Sequence, residues 1–174
     1  MSRNPLEELE PSIRRVYAYV AYRLGDGADA EDVTSEVFEN AVRYRSSYDP
    51  TRGEPIAWLL GIARRAVAAA LASRSPYAAE IPDSAAPGDL ADQTVERLAL
   101  NDAFARLSER DQELVALRYG ADLKASQIAW LLEIPTTNAA EVAVHRAVAR
   151  LREELRREDE PTRVSPPAES SAYL

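Results

Sequence analysis

The side chains best suited to bind another molecule lie between positions 29 and 65. An acidic helix face comes first, on which Asp32, Glu36 and Asn40 stand apart from an apolar stripe. A polar loop with an aromatic side chain follows, and the helix after it carries Arg64 and Arg65 on its exposed side. The order of residue types therefore predicts an acidic surface followed by an aromatic and basic one.

Two amphipathic helices are predicted to position these side chains. In the first, Val33, Val37 and Ala41 recur every fourth residue and form a buried stripe. Asp29 can cap this helix, with Asp32 at the third helical position, because carboxylates complement the exposed amide groups of a helix start. The acidic residues are therefore expected at the beginning and along the free side of this helix.

A loop over residues 46–53 separates the two helices. Pro50 disfavours helix at the residue before it, and Gly53 marks a loop ahead of the next start. Pro55 begins the second helix, in a first turn where proline is well tolerated. Trp58 lies beside a buried stripe of four apolar residues, Leu59, Ile62, Ala63 and Ala66.

The rest of the chain is also predicted to be helical. One helix covers residues 6–24, and a proline-rich segment without apolar periodicity covers residues 74–93. Helical periodicity returns at Thr94, and Ser108 with Asp111 forms a capping box. A turn at residues 134–136 precedes a long final helix. This order predicts a helix-turn-helix, a motif that places its last helix in the major groove of DNA.

Composition excludes several classes of protein. The absence of cysteine excludes disulfides and thiolate metal sites, and a single histidine leaves no histidine-rich metal cluster. No apolar run reaches the roughly 18 residues that cross a bilayer, and the first residues contain no hydrophobic signal core. No catalytic carboxylate motif, phosphate loop or nucleophile elbow is present. We therefore expect a cytoplasmic, non-enzymatic protein with no cofactor, no metal and no membrane insertion.

The net charge of -8 argues against a protein that binds nucleic acid alone by general electrostatics. The charge is unevenly distributed, with -3 in residues 74–95 and -2 in residues 159–174. Each helical region is nearly neutral and could still carry a local basic face. An acidic protein could still contact DNA if a larger, basic partner provided most of the electrostatic binding.

Six short motifs follow one another along the chain in a characteristic order and spacing. The first half contains DAED with EVF at residues 29–32 and 36–38, YDPTRG at 48–53 and AWLLGIAR at 57–64. The second half contains LSERDQELVALRY at 107–119, QIAWLLEIP at 127–135 and HRAVARLR at 145–152. Together they resemble the second and fourth conserved domains of bacterial sigma factors of the sigma-70 family, of the small extracytoplasmic-function type.

This resemblance implies an all-α fold of two small helical domains joined by a flexible linker. Residues 1–73 correspond to sigma domain 2, a three-helix unit for core polymerase binding and minus ten recognition. Residues 94–158 correspond to sigma domain 4, a four-helix unit whose helix-turn-helix recognises the minus thirty-five element. Residues 74–93 are then the linker, and residues 159–174 a disordered tail.

The resemblance also nominates residues that bind polymerase. In the family, the acidic helix face docks on the coiled coil of the clamp subunit of core RNA polymerase. Carried over to this sequence, the docking residues are Asp29, Asp32, Glu36, Val37 and Asn40. For Asp29, helix capping is an equal alternative.

The loop and the helix after it correspond to the family segment that captures an unstacked base of the minus ten element as the strands separate. Tyr48, Asp49 and Arg52 have chemistry suited to such a base, and Arg64 and Arg65 are expected to hold phosphates. Trp58 is a further candidate, although an aromatic at helical spacing more often packs in a core. Family members often have asparagine at position 65 followed by a basic run, whereas this chain continues AVAAALASR, which weakens the expected contact with duplex DNA.

Minus thirty-five recognition is expected from seven residues around the helix-turn-helix, Lys124, Gln127, Thr137, Asn138, Glu141, His145 and Arg146. Family members usually carry lysine or arginine early in the final helix, and between Lys124 and His145 this sequence has none. Asn138 could pair with adenine, and Glu141 could accept a hydrogen bond from cytosine. A local helix cap is an equal alternative for both residues.

The sequence therefore predicts a sigma factor that binds core RNA polymerase through its clamp coiled coil and flap, directs it to promoter DNA and assists strand opening. Two alternatives remain. One is a sigma-like accessory protein that binds polymerase without reading promoters, and the other is a conventional helix-turn-helix regulator, against which the complete upstream domain argues. An inhibitory anti-sigma factor is a further partner that the family leads us to expect.

Overall fold

The computed structural model of the protein describes residues 4–74 and 91–159. Seven α-helices occupy these two ranges, and neither range contains a strand: α1 Leu9–Leu24, α2 Ala28–Arg43, α3 Pro55–Ser73, α4 Ala91–Ala105, α5 Glu109–Val115, α6 Ala125–Leu131 and α7 Thr137–Asp159. The predicted all-α fold is confirmed. Most of the predicted linker and almost all of the predicted tail lie outside the described residues.

The first three helices form an N-terminal unit, residues 4–74. Helix α2 packs on both α1 and α3. The chain turns from α1 into α2 at Gly25 and Gly27, whose φ angles of 89° and 133° suit glycine. Pro55 occupies the first turn of α3, as the sequence predicts. Six fully buried side chains form the centre of this unit: Val16, Val20, Val37, Leu59, Leu60 and Ala63.

The start of α2 differs from its prediction. Gly27 precedes the first helical residue, so Asp29 lies inside the first turn and the prediction that it caps the helix is wrong. Its carboxylate instead pairs with the guanidinium of Arg74 at 3.0 Å. Arg74 also donates a hydrogen bond to the carbonyl of Leu24 at 2.8 Å. Asp29 thus helps to tie the end of α3 to the junction of α1 and α2.

The other four helices form a C-terminal unit, residues 91–159. Helix α4 begins at Ala91, three residues before the predicted start. One half of the predicted capping box of α5 forms, because the Ser108 hydroxyl accepts a hydrogen bond from the Asp111 amide at 3.2 Å. The Asp111 carboxylate does not complete the box, since it accepts hydrogen bonds from the Ser108 hydroxyl and from Arg150 instead. A π-helical turn, Ala116–Gly120, extends α5. Five fully buried side chains form the centre of this unit: Leu117, Leu123, Ile128, Ala140 and Ala147.

The two units pack against each other. Helix α1 lies on the π-helical turn, and α3 approaches α6, so that one continuous apolar core runs through both units. The 19 residues of helix α3 are long and apolar enough to cross a membrane, with a mean hydropathy of 1.5, yet the buried side of this helix packs on α1 and α2.

Candidate functional site

The acidic side of α2 is turned to water. Asp29, Asp32 and Glu36 are exposed, although the carboxylate of Asp29 already pairs with Arg74, and Asn40 is half-buried at the border of the same side. Val37 is fully buried against α1 and α3, so the prediction that its side chain contacts polymerase is wrong. Its role is to seat α2 in the core. The helix therefore separates an apolar side, which fixes its position, from an acidic side that stays in water.

The loop between α2 and α3 is held by its own hydrogen bonds. Tyr48 is only 9% exposed. Its hydroxyl donates to the carbonyl of Gly53 at 3.1 Å, and its ring packs on Trp58 with 5.6 Å between the ring centroids. Trp58 is half-buried rather than free. These contacts fix the loop backbone against the first turns of α3.

Asp49 shapes the outer part of the same loop. Its carboxylate accepts hydrogen bonds from the Thr51 hydroxyl at 2.6 Å and from the Thr51 amide at 2.9 Å. These two bonds, the hydroxyl first, hold the pKa of Asp49 below its usual value. Arg52 follows and is exposed. The loop therefore presents a stable carboxylate and an exposed guanidinium at its rim.

A cavity of about 730 Å³ opens beside this loop. It brings together the six residues that the sequence assigns to minus ten recognition: Tyr48, Asp49, Arg52, Trp58, Arg64 and Arg65. Two aromatic rings and three guanidinium groups thus line one concave surface. Such a surface can stack a planar base and hold the phosphates beside it.

Arg64 is not free in this structure. Its Nε lies 2.5 Å from the carboxylate of Glu113, and its Nη1 donates to the Leu131 carbonyl at 3.1 Å. Both partners belong to the C-terminal unit. Arg65, one position along, is exposed and lines the same cavity. Arg65 is therefore available to a ligand in the cavity, whereas Arg64 is already paired within the protein.

The candidate residues of the helix-turn-helix lie mostly on the surface. Lys124, Asn138 and His145 are exposed, as are Thr137, Glu141 and Arg146. The start of α7 is capped by Thr136, whose hydroxyl accepts a hydrogen bond from the Ala139 amide at 3.1 Å. The alternative interpretation of Asn138 and Glu141 as a local cap is therefore wrong. Their side chains remain available to a partner.

Gln127 differs from the other members of this set. Its side-chain oxygen accepts a hydrogen bond from the Lys124 amide at 2.8 Å, and its amide nitrogen donates to the carboxylate of Glu54. The first bond fixes the start of α6, and the second crosses to the N-terminal unit. Gln127 is thus occupied by the protein itself.

Sequence reasoning missed the contribution of the C-terminal unit to the cavity. Four of its residues line the cavity together with the loop residues: Trp130, Leu131, Leu132 and Glu133. Trp130 falls outside the apolar stripe of Ile128, Leu131 and Leu132, and it is 45% exposed. The sequence offered one indication of this contribution, which was a tryptophan outside the apolar stripe of a short helix. Within the described ranges, no group of three or more acidic, histidine or cysteine side chains is placed to hold a metal ion.

Residues 10–76 match the family model described as "Sigma-70 region 2". The curated protein "ECF RNA polymerase sigma factor SigD" of Mycobacterium tuberculosis is 32% identical over 171 residues, which cover 88% of this chain and 78% of that protein. "ECF RNA polymerase sigma factor BldN" of Streptomyces coelicolor is 34% identical over 123 residues, 66% of this chain and 46% of BldN. The chain thus spans about half of BldN.

A solved structure shares the fold. This structure, "Structure of CnrH in complex with the cytosolic domain of CnrY", superposes with a TM-score of 0.59 over 85% of this chain and 82% of that one. The sequence identity is 18%, so the likeness concerns the arrangement of helices alone. A further relative, "ECF RNA polymerase sigma factor SigK" of Mycobacterium ulcerans, is 32% identical over 123 residues, 66% of each chain.

Proposed function

The chain belongs to the extracytoplasmic-function sigma factors of the sigma-70 family, and on that premise we propose that it binds core RNA polymerase, directs it to promoters and assists strand opening. The observation that carries this proposal is the cavity beside the loop. It gathers two aromatic rings that can stack on a base and three guanidinium groups that can hold phosphate, with the carboxylate of Asp49 beside them, although these side chains are spread over 18 positions of the sequence. Two of the three arginines, Arg52 and Arg65, are exposed.

The acidic side of α2 is the proposed docking surface for the clamp coiled coil of core polymerase. Asp32 and Glu36 are exposed, and neither is needed to cap the helix. A surface of like charges is well suited to steer an encounter with a basic partner. The rigid apolar side of the helix keeps this surface in place.

The loop cavity is the proposed site for an unstacked base of the minus ten element. Flipping a base costs a few kcal/mol, and stacking on an aromatic side chain returns roughly 1–3 kcal/mol. Trp58 offers a ring at the wall, and Arg52 offers an exposed guanidinium at the rim. Tyr48 acts mainly by positioning, because its hydroxyl and ring are already used within the loop.

The exposed side of α7 is the proposed reader of the minus thirty-five element, with the flap of the polymerase as a further contact of the C-terminal unit. Asn138, Glu141 and His145 follow one another at three- and four-residue spacing on one side of the helix. Their side chains can reach base edges, but they add little positive charge. The N-terminal unit then corresponds to sigma domain 2, and the C-terminal unit to sigma domain 4.

A protein with a net charge of -8 can act on DNA if its partner, the polymerase, provides most of the positive charge that binds the DNA. The polymerase supplies the basic channel, and this chain supplies the choice of site, without catalysing a reaction itself. We place this activity in the cytoplasm, where the polymerase acts. The solved structure with the same fold holds CnrH in complex with the cytosolic domain of CnrY. Membership of the family leads us to include an anti-sigma factor as a proposed regulatory partner of this chain.

Reconstitution with core RNA polymerase tests the function. The chain is added to core enzyme on a fragmented genomic library, and the transcripts are sequenced from their starts. We expect shared sequence motifs upstream of the starts, absent with core enzyme alone. Core binding without initiation would indicate the accessory protein, DNA binding without polymerase would indicate the conventional regulator, and either result would reject the proposal.

A further inference from the structure

The cavity beside the loop has aromatic walls from two separate elements. Trp130 of the C-terminal unit is 45% exposed, and its ring lies 3.3 Å from the place where a Cβ of Gly53 would stand. The missing side chain at Gly53 thus lets the indole lie against the loop backbone. Trp58 of α3 lines the same cavity, half-buried against the ring of Tyr48. The cavity therefore offers indole surface both from the loop side and from α6.

The cavity also has the size and composition of a small-molecule site. Its volume of about 730 Å³ falls within the range of roughly 300–1,000 Å³ that is usual for ligand pockets. Apolar side chains form part of its lining, among them Ala57, Ile62, Leu131 and Leu132. Pockets of this kind combine an apolar lining with a few polar groups that orient the ligand. The nature of the ligand then follows from those polar groups.

Glu133 is one of these polar groups, and its position favours a binding role. The Ile134 amide donates to the Ala129 carbonyl at 2.8 Å, which is the closing hydrogen bond of a Schellman motif after α6. Glu133 has a φ angle of 53° and occupies the position in this motif that glycine usually takes. A glutamate costs more than glycine in this backbone conformation. Its side chain is exposed and lines the cavity, so a role in binding explains a residue that the turn itself disfavours.

Two exposed guanidinium groups give the cavity a positive rim. Arg52 and Arg65 both line it and are exposed. Arg64 is paired with Glu113, so the charge that can act on a ligand comes mainly from the other two arginines. Guanidinium groups bind phosphate through charge-assisted, often bidentate hydrogen bonds. The rim therefore suits a ligand that carries phosphates.

The remaining polar side chains select among bases. The hydroxyls of Ser47 and Tyr48 already donate to loop carbonyls, and no asparagine or glutamine occurs among the described residues that line the cavity. What remains is arginines, which only donate, and the carboxylates of Asp49 and Glu133, which only accept. Guanine presents acceptors at O6 and N7 and donors at its amino edge, so it matches both kinds of group. Adenine is best matched by asparagine or glutamine, which this lining lacks.

We propose that this cavity is a binding site for a free guanine nucleotide. The base lies against Trp130, and the Glu133 carboxylate accepts hydrogen bonds from its amino edge. Arg52 and Arg65 hold the phosphates. The inference goes beyond the proposed function, because the ligand needs neither polymerase nor DNA, and because Trp130 and Glu133 have no part in that function.

Calorimetry of the full chain with GDP tests the proposal. The comparison ligands are ADP, which keeps the phosphates and changes the base, and pyrophosphate, which removes the base. We expect ADP to bind at least about tenfold more weakly than GDP, because one well-matched base edge discriminates by roughly that factor. Pyrophosphate should bind more weakly still. Absence of GDP binding would overturn the inference, as would equal affinity for GDP and either comparison ligand.

Tryptophan signals locate the bound nucleotide. The chain has two tryptophans, Trp58 and Trp130, and both line the cavity. Their indole N–H signals in a nitrogen–proton NMR spectrum therefore report on this site, and the Trp130 signal is identified by its loss in Trp130→Ala. We expect GDP to shift the Trp130 signal in a saturable way. If GDP binds and this signal stays in place, the ligand lies elsewhere and the inference is wrong.

Two substitutions separate the ring from the carboxylate. Trp130→Ala removes the ring, and GDP affinity should fall about tenfold, the order expected for one base stack. Glu133→Gln keeps the shape but replaces an acceptor-only group, so the preference for GDP over ADP should shrink to about threefold or less. A merely structural role of Glu133 would not alter this preference. Matched controls are Tyr119→Ala and Glu109→Gln, at exposed positions of the C-terminal unit outside the cavity lining, and both should bind GDP like the wild type.

Circular dichroism confirms that each variant remains helical. If Trp130→Ala does not fold, Glu133→Gln decides the question, because it changes one atom type at an exposed side chain. An unchanged preference for GDP in Glu133→Gln would overturn the inference.

A guanine in single-stranded DNA presents the same edges, so a short guanine-containing strand is the last probe. We expect GDP to bind at least as tightly, because a chain with a net charge of -8 repels the further phosphates of a strand. Tighter binding of the strand would assign the cavity to nucleic acid alone and overturn the inference. GDP binding by a protein that fails to initiate transcription with core enzyme would reject the proposed function and leave this inference standing, and initiation without GDP binding would do the reverse.

Discussion

The two units hold their candidate DNA contacts in different ways. In the N-terminal unit, Tyr48, Asp49 and Trp58 are bound to each other or to neighbours in the loop before any partner arrives. In the C-terminal unit, Asn138 and Glu141 stand exposed along one helix. The first site is preorganised, and the second is a plain helix surface. A preorganised site loses less conformational entropy on binding, so we expect most of the chain's own recognition energy to come from the N-terminal unit.

Tyr48→Ala should produce the largest effect in this comparison. It removes the ring that packs on Trp58 and the hydrogen bond to Gly53, so the loop loses its support. We expect a loss of about 2 kcal/mol in promoter opening, or roughly thirtyfold in the yield of open complexes. Permanganate footprinting of the opened strands measures it.

Tyr48→Phe is the control for this variant, because it keeps the ring and removes only the hydroxyl. We expect it to cost about 1 kcal/mol, or roughly fivefold. Equal losses in the two variants would assign the support to the hydrogen bond alone, and no loss in either would show that the loop is not preorganised for opening.

Glu36→Arg should have the next largest effect, on core polymerase rather than on DNA. Reversing a charge at an exposed docking surface should weaken core binding about tenfold, mainly through slower association, and less at high salt. Surface plasmon resonance with immobilised core enzyme measures both rates.

The control for this reversal is Glu31→Arg, the same change at an exposed position on another side of α2. It should leave core binding within about twofold of the wild type. If both reversals weaken binding equally, the effect is one of net charge and the docking surface is not where we place it.

Single substitutions on α7 should have smaller effects. We expect Asn138→Ala and Glu141→Ala each to reduce initiation about fivefold or less, since one base contact contributes about 1 kcal/mol at the low end of its range. Template series with changed upstream sequences measure the loss of discrimination. A loss comparable to that of Tyr48→Ala would mean that the C-terminal unit dominates recognition, which would reverse the comparison between the units.

The smallest effect concerns protonation of Asp49. The Thr51 hydrogen bonds lower its pKa in the folded protein, so its contribution to loop stability is present above the unfolded pKa and is lost as the pH falls through the folded value. Thr51→Ala should therefore raise the pKa of Asp49 toward its usual value. The variant removes the hydroxyl bond and keeps the amide bond. Carboxyl chemical shifts followed over acidic pH measure the change, and an unaltered titration would show that the Thr51 hydroxyl does not stabilise the carboxylate.

Local rules predicted the helices well and their contacts poorly. Pro55 and Ser108 gave correct helix starts, because proline at a first turn and a serine cap act within a few residues. Asp29 was assigned the wrong role because Gly25 and Gly27 permit a turn that starts α2 earlier. Val37 shows a conflict between two signals, since the periodicity put it in the core while the family resemblance put it at an interface, and the periodicity was right.

The part of the loop cavity that comes from the C-terminal unit could not be predicted from the sequence. Periodicity correctly leaves Arg64 outside the stripe of α3, but it cannot show that Glu113 and Leu131 will meet it from the other unit. The same holds for Trp130 and Gly53, which are separated by 77 positions and meet only when the units pack. Contacts of this range depend on how two surfaces fit, and no local pattern encodes them.

The position of α2 has a consequence for competition among polymerase subunits. Its acidic side is turned to water and lies apart from the pocket beside α3, so recruitment to polymerase would not require DNA to be bound first. Recruitment would then depend on the number of copies. Unrecruited copies would form a reservoir that competes for polymerase yet leaves the chromosome unoccupied.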